Sequence, residues 1–295
     1  MRKHPIILGL CLLLLVGLFF LLLTALGGGL FGKRSLVWGE HVGVVTVEGI
    51  IRNSREITRQ LDDFGKDNSV KAIVVRIDSP GGGVTPAQEI HDAILSVKKK
   101  KKVVASMGAI AASGGYLIAC AADRIVASPG TMTGSISAIM HFANVEELLK
   151  KIGLKSSVVK SGRFKDIGSP TRPMTEDEKA LIQSLVDDTY DQFLDVVAKD
   201  RRISKDDLRK IADGRLFTGR QARKLGLVDE LGDLSYAVRL AGTLSGIKDE
   251  PDAVYPAKKK STFWELILQQ AVTTLAAEMQ KVEGRPEGLN YLYQQ

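Results

Sequence analysis

Residues 71–88 read KAIVVRIDSPGGGVTPAQ, and the fold is decided in this stretch. Lys71–Ile77 is rich in β-branched residues, the composition of a buried strand. Asp78-Ser79-Pro80-Gly81-Gly82-Gly83 ends it in a glycine-rich turn. A helix is predicted to open at Thr85, with Thr85 as its cap, Pro86 in the first helical position and Gln88 in the third. Ile90, Ile94 and Val97 follow at helical spacing. The lysines Lys98–Lys102 close that helix at the negative end of its dipole. Strand, tight turn and amphipathic helix in this order make the repeating unit of an α/β domain with a largely parallel sheet.

The same alternation extends to both sides. Val42–Val47 is a candidate strand and Ser54–Lys66 a helix. Val103–Ser106 is the next strand, and Ser113–Ala121 a helix of small and apolar residues. Arg124–Ala127 and Ile136–Met140 read as further strands. Thr175–Lys199 is a long amphipathic helix opened by a capping pair, Thr175 and Glu178. No internal repeat is present.

At 295 residues and 44% hydrophobic, the chain can bury a sizeable core, which excludes a disordered polymer or a small disulfide-stapled module. The net charge of +7 does not describe a basic face, because the excess within residues 41–245 is matched by Lys98–Lys102 alone. A surface that tracks nucleic-acid phosphates is therefore not expected. Cys11 lies in an apolar run and Cys120 in the domain, so no internal disulfide is expected.

Ile6–Leu26 holds 21 residues without a charge. At about 1.5 Å per residue such a run spans roughly 30 Å, the thickness of a hydrocarbon core. A cleavable signal peptide is the alternative. The run exceeds an ordinary apolar segment of that kind, and Thr24–Gly29 gives only a loose cleavage pattern. Residues 1–29 are therefore read as a cytoplasmic stub and transmembrane anchor, 30–40 as a tether, 41–247 as the globular domain and 248–295 as a helical tail. The basic Met1-Arg2-Lys3 terminus favours a single pass through the cytoplasmic membrane, with the domain on the extracytoplasmic side. In the tail, Lys258–Lys260 introduces a weakly amphipathic helix, Thr262–Val282, which carries no chemistry of its own.

Two elements can carry chemistry. The loop Gly81–Gly83 stands before a helix start and can hold a phosphate or a developing oxyanion, or it can be a plain tight turn. Neither a dinucleotide fingerprint nor a P-loop spacing is present. Ser113, in Ala112-Ser113-Gly114-Gly115-Tyr116, follows a strand and begins a helix. It is placed as a nucleophile with the Gly114 N–H beside it, or as an ordinary N-cap. For a base, the chain offers His141, since His4 precedes the membrane segment, His41 sits at the tether's end and His91 reads as a half-buried surface residue. The alternative is a lysine made neutral by burial without a counter-ion.

Three motifs in order carry a resemblance. They are Asp78-Ser79-Pro80-Gly81-Gly82, Ala112-Ser113-Gly114-Gly115-Tyr116, and Ser161-Gly162-Arg163-Phe164-Lys165-Asp166 followed by Ser169-Pro170. With Gly214–Gly219 and Leu225–Asp229, the chain over about residues 40–245 resembles the signal peptide peptidase A (SppA) family of bacterial membrane-anchored serine proteases, in its short single-domain form. The resemblance implies a Clp protease/crotonase-like α/β sheet-and-helix domain behind one N-terminal transmembrane helix. It implies Ser113 as nucleophile, Lys165 as general base, Gly82 and Gly114 as oxyanion donors, Gly81 and Gly83 in substrate binding, and Ser135 as a hydroxyl that orients the lysine. The adjacent Asp166 is expected to point away from the Lys165 ammonium. The implied substrates are hydrophobic peptides, remnants of signal peptides among them, bound as an added strand, with no cofactor and no metal. A homo-oligomer is implied, with the dyad formed within one chain or between neighbours. In the stretch Thr131–Ser137, where Clp-type chains place a triad histidine, there is none, which favours the lysine. An acyl-CoA enzyme of crotonase type and a non-catalytic membrane scaffold are the competing readings.

Overall fold

A computed structural model describes residues 13–19 and 40–256. Residues 13–19 are helical and exposed. The rest of the Ile6–Leu26 run, and with it the anchor, lies outside the described residues, as does the tail helix Thr262–Val282. Among the described residues no helix is long and apolar enough to cross a membrane.

From His41 the chain builds one eight-stranded sheet. The strands are β1 His41–Glu48, β2 Val70–Ser79, β3 Lys102–Ala112, β4 Arg124–Ala127, β5 Met132–Gly134, β6 Leu216–Thr218, β7 Glu230–Leu231 and β8 Asp252–Val254. Their order is β6-β5-β3-β2-β1-β8, with β4 on β3 and β7 on β4. Every pairing is parallel except β5 with β6. The helices are α1 Arg55–Lys66, α2 Val84–Lys98, α3 Gly114–Cys120, α4 Glu146–Lys151, α5 Glu176–Arg201, α6 Lys205–Arg209, α7 Gly219–Lys224 and α8 Leu234–Ser245.

The period of two along a strand sorts the core into two layers. Val45 and Val47 of β1 and Ile73, Val75 and Ile77 of β2 face one layer, where they pack with Leu61 of α1, Ile90 and Ile94 of α2, Ile118 of α3 and Leu194 of α5. Val42, Val44, Ala72 and Val74 point the other way, onto Ala237, Val238 and Ala241 of α8. Each fully buried aliphatic side chain contributes about 1.5–3 kcal/mol relative to exposure, so both faces of β2 are committed to burial. That double commitment is why β2 carries the apolar run Ala72–Val75 without a break.

Three expectations are corrected. Helix α2 starts at Val84, and its N-cap is Gly83 in extended conformation with no side-chain cap, so Thr85 is already inside the first turn. Pro86 is tolerated there because first-turn N–H groups have no intrahelical acceptor. The lysine run is split: α2 ends at Lys98, Lys102 begins β3, and the Lys101 ammonium donates to the carbonyls of Phe64 and Asp67, closing the turn between them. Ile136–Met140 is not a strand. Its place is taken by Met132–Gly134, because Gly134 (φ 87°) and Ser135 (φ 50°) turn the chain out of the sheet. Ile136 is buried all the same, which explains its strand-like look.

Candidate active site

Strands β2 and β3 are parallel neighbours, so their C-terminal ends lie side by side and bring residues 79–83 against residues 112–114. Ser113 follows the last residue of β3 and precedes α3, with φ 53° and ψ −121°, a conformation that L-residues rarely adopt. Its N–H donates to the carbonyl of Gly134 at 2.8 Å, and its carbonyl accepts from the N–H of Leu117 at 3.0 Å. The hydroxyl makes no capping bond to the helix. The N-cap reading of this side chain therefore fails, and Ser113 instead lines the cleft.

The glycine loop is held by its own bonds. The Ser79 hydroxyl donates to the Gly49 carbonyl at 2.6 Å and accepts from the Gly81 N–H at 3.1 Å. Ile51 donates to the Gly81 carbonyl at 3.0 Å and accepts from the Gly83 N–H at 2.8 Å. Gly81 has φ 106°, and a Cβ there would lie 2.8 Å from the Ser113 Cβ and 2.9 Å from the Gly114 nitrogen. A Cβ on Gly114 would lie 3.5 Å from the Gly82 nitrogen. The glycines thus let the loop and the Ser113 turn meet backbone to backbone. Gly114 opens α3, so its N–H has no acceptor within that helix. Among the described residues the N–H groups of Gly82 and Gly114 are taken by no hydrogen bond, whereas those of Gly81 and Gly83 are used inside the loop. Two free amides next to one free hydroxyl are the parts needed to stabilise the oxyanion that forms on a carbonyl when that hydroxyl attacks it.

The cleft in front of Ser113 has a volume of about 320 Å³. Gly82, Ser113 and Gly114 form its polar edge, and Val84, Ala87, Leu117, Ile139, Met140, Leu185 and Phe193 give it apolar walls. Such a lining accepts apolar side chains of modest size.

Ser135 is half-buried and does not line the cleft; its N–H donates to the Arg215 carbonyl at 2.8 Å. Ser137, two residues on, does line it. Lys165 lies on a run of turns, with its N–H on the Gly162 carbonyl at 3.2 Å. Its side chain is exposed, outside the cleft of its own chain and without an ion pair among the described residues. The adjacent Asp166 carboxylate is taken up by Arg172, at 2.9 Å, and by Lys160. Those two cations, Arg172 first, hold it well below the usual carboxylate range. Arg172 also donates to Glu178 at 2.6 and 2.8 Å, which fastens this segment to the capping box at the start of α5.

His141 is exposed and outside the cleft. His91 is buried, not half-exposed as its sequence position suggests. Its Nε2 lies 2.7 Å from Asp200 of α5 and its Nδ1 3.1 Å from Asp92, so it links two helices and does no chemistry at Ser113. Sequence reasoning passes over Ile51, whose paired bonds orient Gly82, and no local motif marks it. It also passes over Thr133, although that residue stands in the stretch that singled out Ser135.

Comparison with known proteins agrees with this geometry. The model of peptidase family S49 matches residues 96–248, and that of Clp protease matches residues 43–140. A Synechocystis sp. protein that carries a protease name is 46% identical over 189 residues, covering 64% of this chain and 68% of the relative. A Methanocaldococcus jannaschii protein, also named as a protease, is 34% identical over 81% of this chain and 79% of its own. Protease 4 of Haemophilus influenzae is 37% identical over 69% of this chain, which corresponds to 34% of that longer protein. With the serine turn, the glycine loop and these matches in agreement, the chain belongs to peptidase family S49.

Proposed function

We propose that this protein is a membrane-anchored serine endopeptidase of the signal peptide peptidase type, which cuts hydrophobic peptides, among them the remnants of cleaved signal peptides. The observation that carries the reading is the uncapped hydroxyl of Ser113 at a strained strand-to-helix turn, beside two unpaired amides and at the mouth of an apolar cleft. Ser113 Oγ attacks the scissile carbonyl, and Lys165 in its neutral form accepts the hydroxyl proton. The N–H groups of Gly82 and Gly114 hold the oxyanion, and the lysine returns the proton to the departing amine. Water then hydrolyses the acyl-enzyme by the same route in reverse. Ser135 serves as the hydroxyl that orients the lysine, and the peptide lies extended past Gly81–Gly83.

We read the dyad as shared between copies, with Lys165 of one protomer serving Ser113 of the next. Two features support this. Lys165 is exposed and outside the cleft of its own chain, and the stretch before it exposes Leu148, Ile152, Leu154, Val158 and Val159. A run of exposed apolar residues of this kind marks a contact surface.

Labelling of the full chain in detergent with a fluorophosphonate probe tests the reading. Wild type labels, while Ser113→Ala and Lys165→Ala do not. Mixing the two variants restores part of the peptide hydrolysis if copies share the site. Labelling of Lys165→Ala but not of His141→Ala moves the base to His141. A folded wild type that never labels hands the fold to the crotonase-like or scaffold reading.

A further inference from the structure

Strand β3 changes partners on its way to Ser113. Its first half pairs with β4, Val104 to Met107 against Arg124 to Ala127, and its last residues pair with β5, Ile110 to Ala112 against Met132 to Gly134. On its other edge the register with β2 jumps from Ile77↔Met107 to Ser79↔Ala111, leaving residues 108–110 out of the ladder. Side chains brace this end of β3 from both edges. The Asp78 carboxylate accepts from the Ile110 N–H at 3.1 Å, the Thr131 hydroxyl donates to the Gly108 carbonyl at 2.7 Å, and the Thr133 hydroxyl donates to the Ala111 carbonyl at 2.7 Å. Thr131 and Thr133 are both buried.

Of these groups, Thr133 is the one coupled to the serine. It grips the carbonyl two residues before Ser113, and the next residue along β5, Gly134, accepts the Ser113 N–H at 2.8 Å. Two bonds, from adjacent residues of β5 to Ala111 and Ser113, thus hold the short segment whose last member has φ 53°. A side chain in such a backbone conformation keeps its direction only if the surroundings enforce it. We propose that Thr133 is a positioning residue for Ser113: its buried hydroxyl locks the end of β3 to β5, so that the Gly134 carbonyl captures the Ser113 amide and holds the nucleophile beside the two free amides.

The inference rests on the serine protease reading, and its test separates the two. On the full chain in detergent, Thr133→Val removes the hydroxyl at constant shape. Fluorophosphonate labelling is expected to slow about ten- to a hundred-fold, the range set by misplacing a reacting group by a fraction of an ångström to one ångström. For peptide hydrolysis kcat falls in proportion and KM holds. Thr133→Ser keeps the hydroxyl and labels near the wild-type rate, while Thr133→Ala follows the valine variant. Thr131→Val, which removes the matching bond farther from the serine, lowers the melting temperature but leaves labelling near wild type. If Thr133→Val does not fold, the serine and alanine variants decide the matter alone. Wild-type labelling by Thr133→Val, or equal rates for Thr133→Ser and Thr133→Ala, overturns the positioning role and leaves Ser113 as the nucleophile. A folded wild type that never labels defeats the protease reading, and the positioning role with it.

Discussion

Ile51 grips Gly82 from one side, donating to the peptide group before it at 3.0 Å and accepting from the one after it at 2.8 Å. This bridge leaves the N–H of Gly82 on the opposite side, toward Ser113. A Cβ on Gly82 would sit 2.3 Å from the Ile51 carbonyl oxygen, a backbone atom that cannot swing away. Gly82→Ala must therefore displace the loop. We expect kcat for peptide hydrolysis to fall about a hundred-fold or more, as when an oxyanion donor is lost, with little change in KM. A wild-type kcat in a folded Gly82→Ala protein removes this amide from the mechanism.

Ser113 sits in a conformation that glycine adopts freely, and its strain is of the order of 1–3 kcal/mol. Ser113→Gly relieves that strain and gives back about 0.5–1 kcal/mol through the greater freedom of the unfolded chain. The expected outcome is an inactive protein about 1 kcal/mol more stable than wild type, while Ser113→Ala is inactive without that gain. Denaturant unfolding of the three proteins checks the order. Equal stability of the glycine and alanine variants counts against strain at this turn.

His91 gives the domain a pH-dependent link. Burial alone would lower its pKa, but the carboxylates of Asp200 and Asp92 outweigh burial and raise it. A group whose folded pKa is raised stabilises the fold fully below its unfolded value, about 6.5, and loses that contribution as pH rises through the folded value. The difference in stability between wild type and His91→Gln should therefore be largest under mildly acidic conditions and shrink as pH climbs past that window. A difference that stays flat from pH 5 to 9, or grows with pH, refutes the assignment.

Cys120 is buried on α3, and burial pushes its thiol up to about 12. The thiolate is the reactive form, so the native protein should resist a water-soluble alkylating reagent at neutral pH and react at Cys120 only on denaturation. Mass spectrometry after native and denatured labelling reads this directly. Rapid native modification of Cys120 would mean that α3 opens far more often than its packing implies.

The sheet was legible where one strand carries its own pattern. β1, β2 and β4 are β-branched runs, and the parallel expectation followed from the helices between them. β6, β7 and β8 have only two or three residues each, too few for any periodicity, and they exist because longer neighbours offer them an edge. Thr85 misled because a cap-like residue ahead of proline is a local signal, whereas the start of α2 was set by Ile51 holding Gly83 extended. Ser113, Gly82 and Gly114 could be picked out by residue type, and the adjacency of β2 and β3 brings them together. The clasp by Ile51 and the tie by Thr133 were invisible, because each joins positions distant in sequence through a carbonyl that every residue possesses.

The first strand of the sheet pairs with the last, β1 with β8, at the edge remote from β5 and β6. Among the described strand pairings that closure joins the segments farthest apart in sequence, and contacts between sequence-distant segments form late in folding because chain entropy is lost before they form. Until β8 docks, His41, Val42 and Gly43 of β1 therefore present unpaired amides and carbonyls to any neighbouring chain. Edge-to-edge pairing at this end of β1 is blocked only once β8 has docked. Truncation before β8 should accordingly show itself first as aggregation during expression.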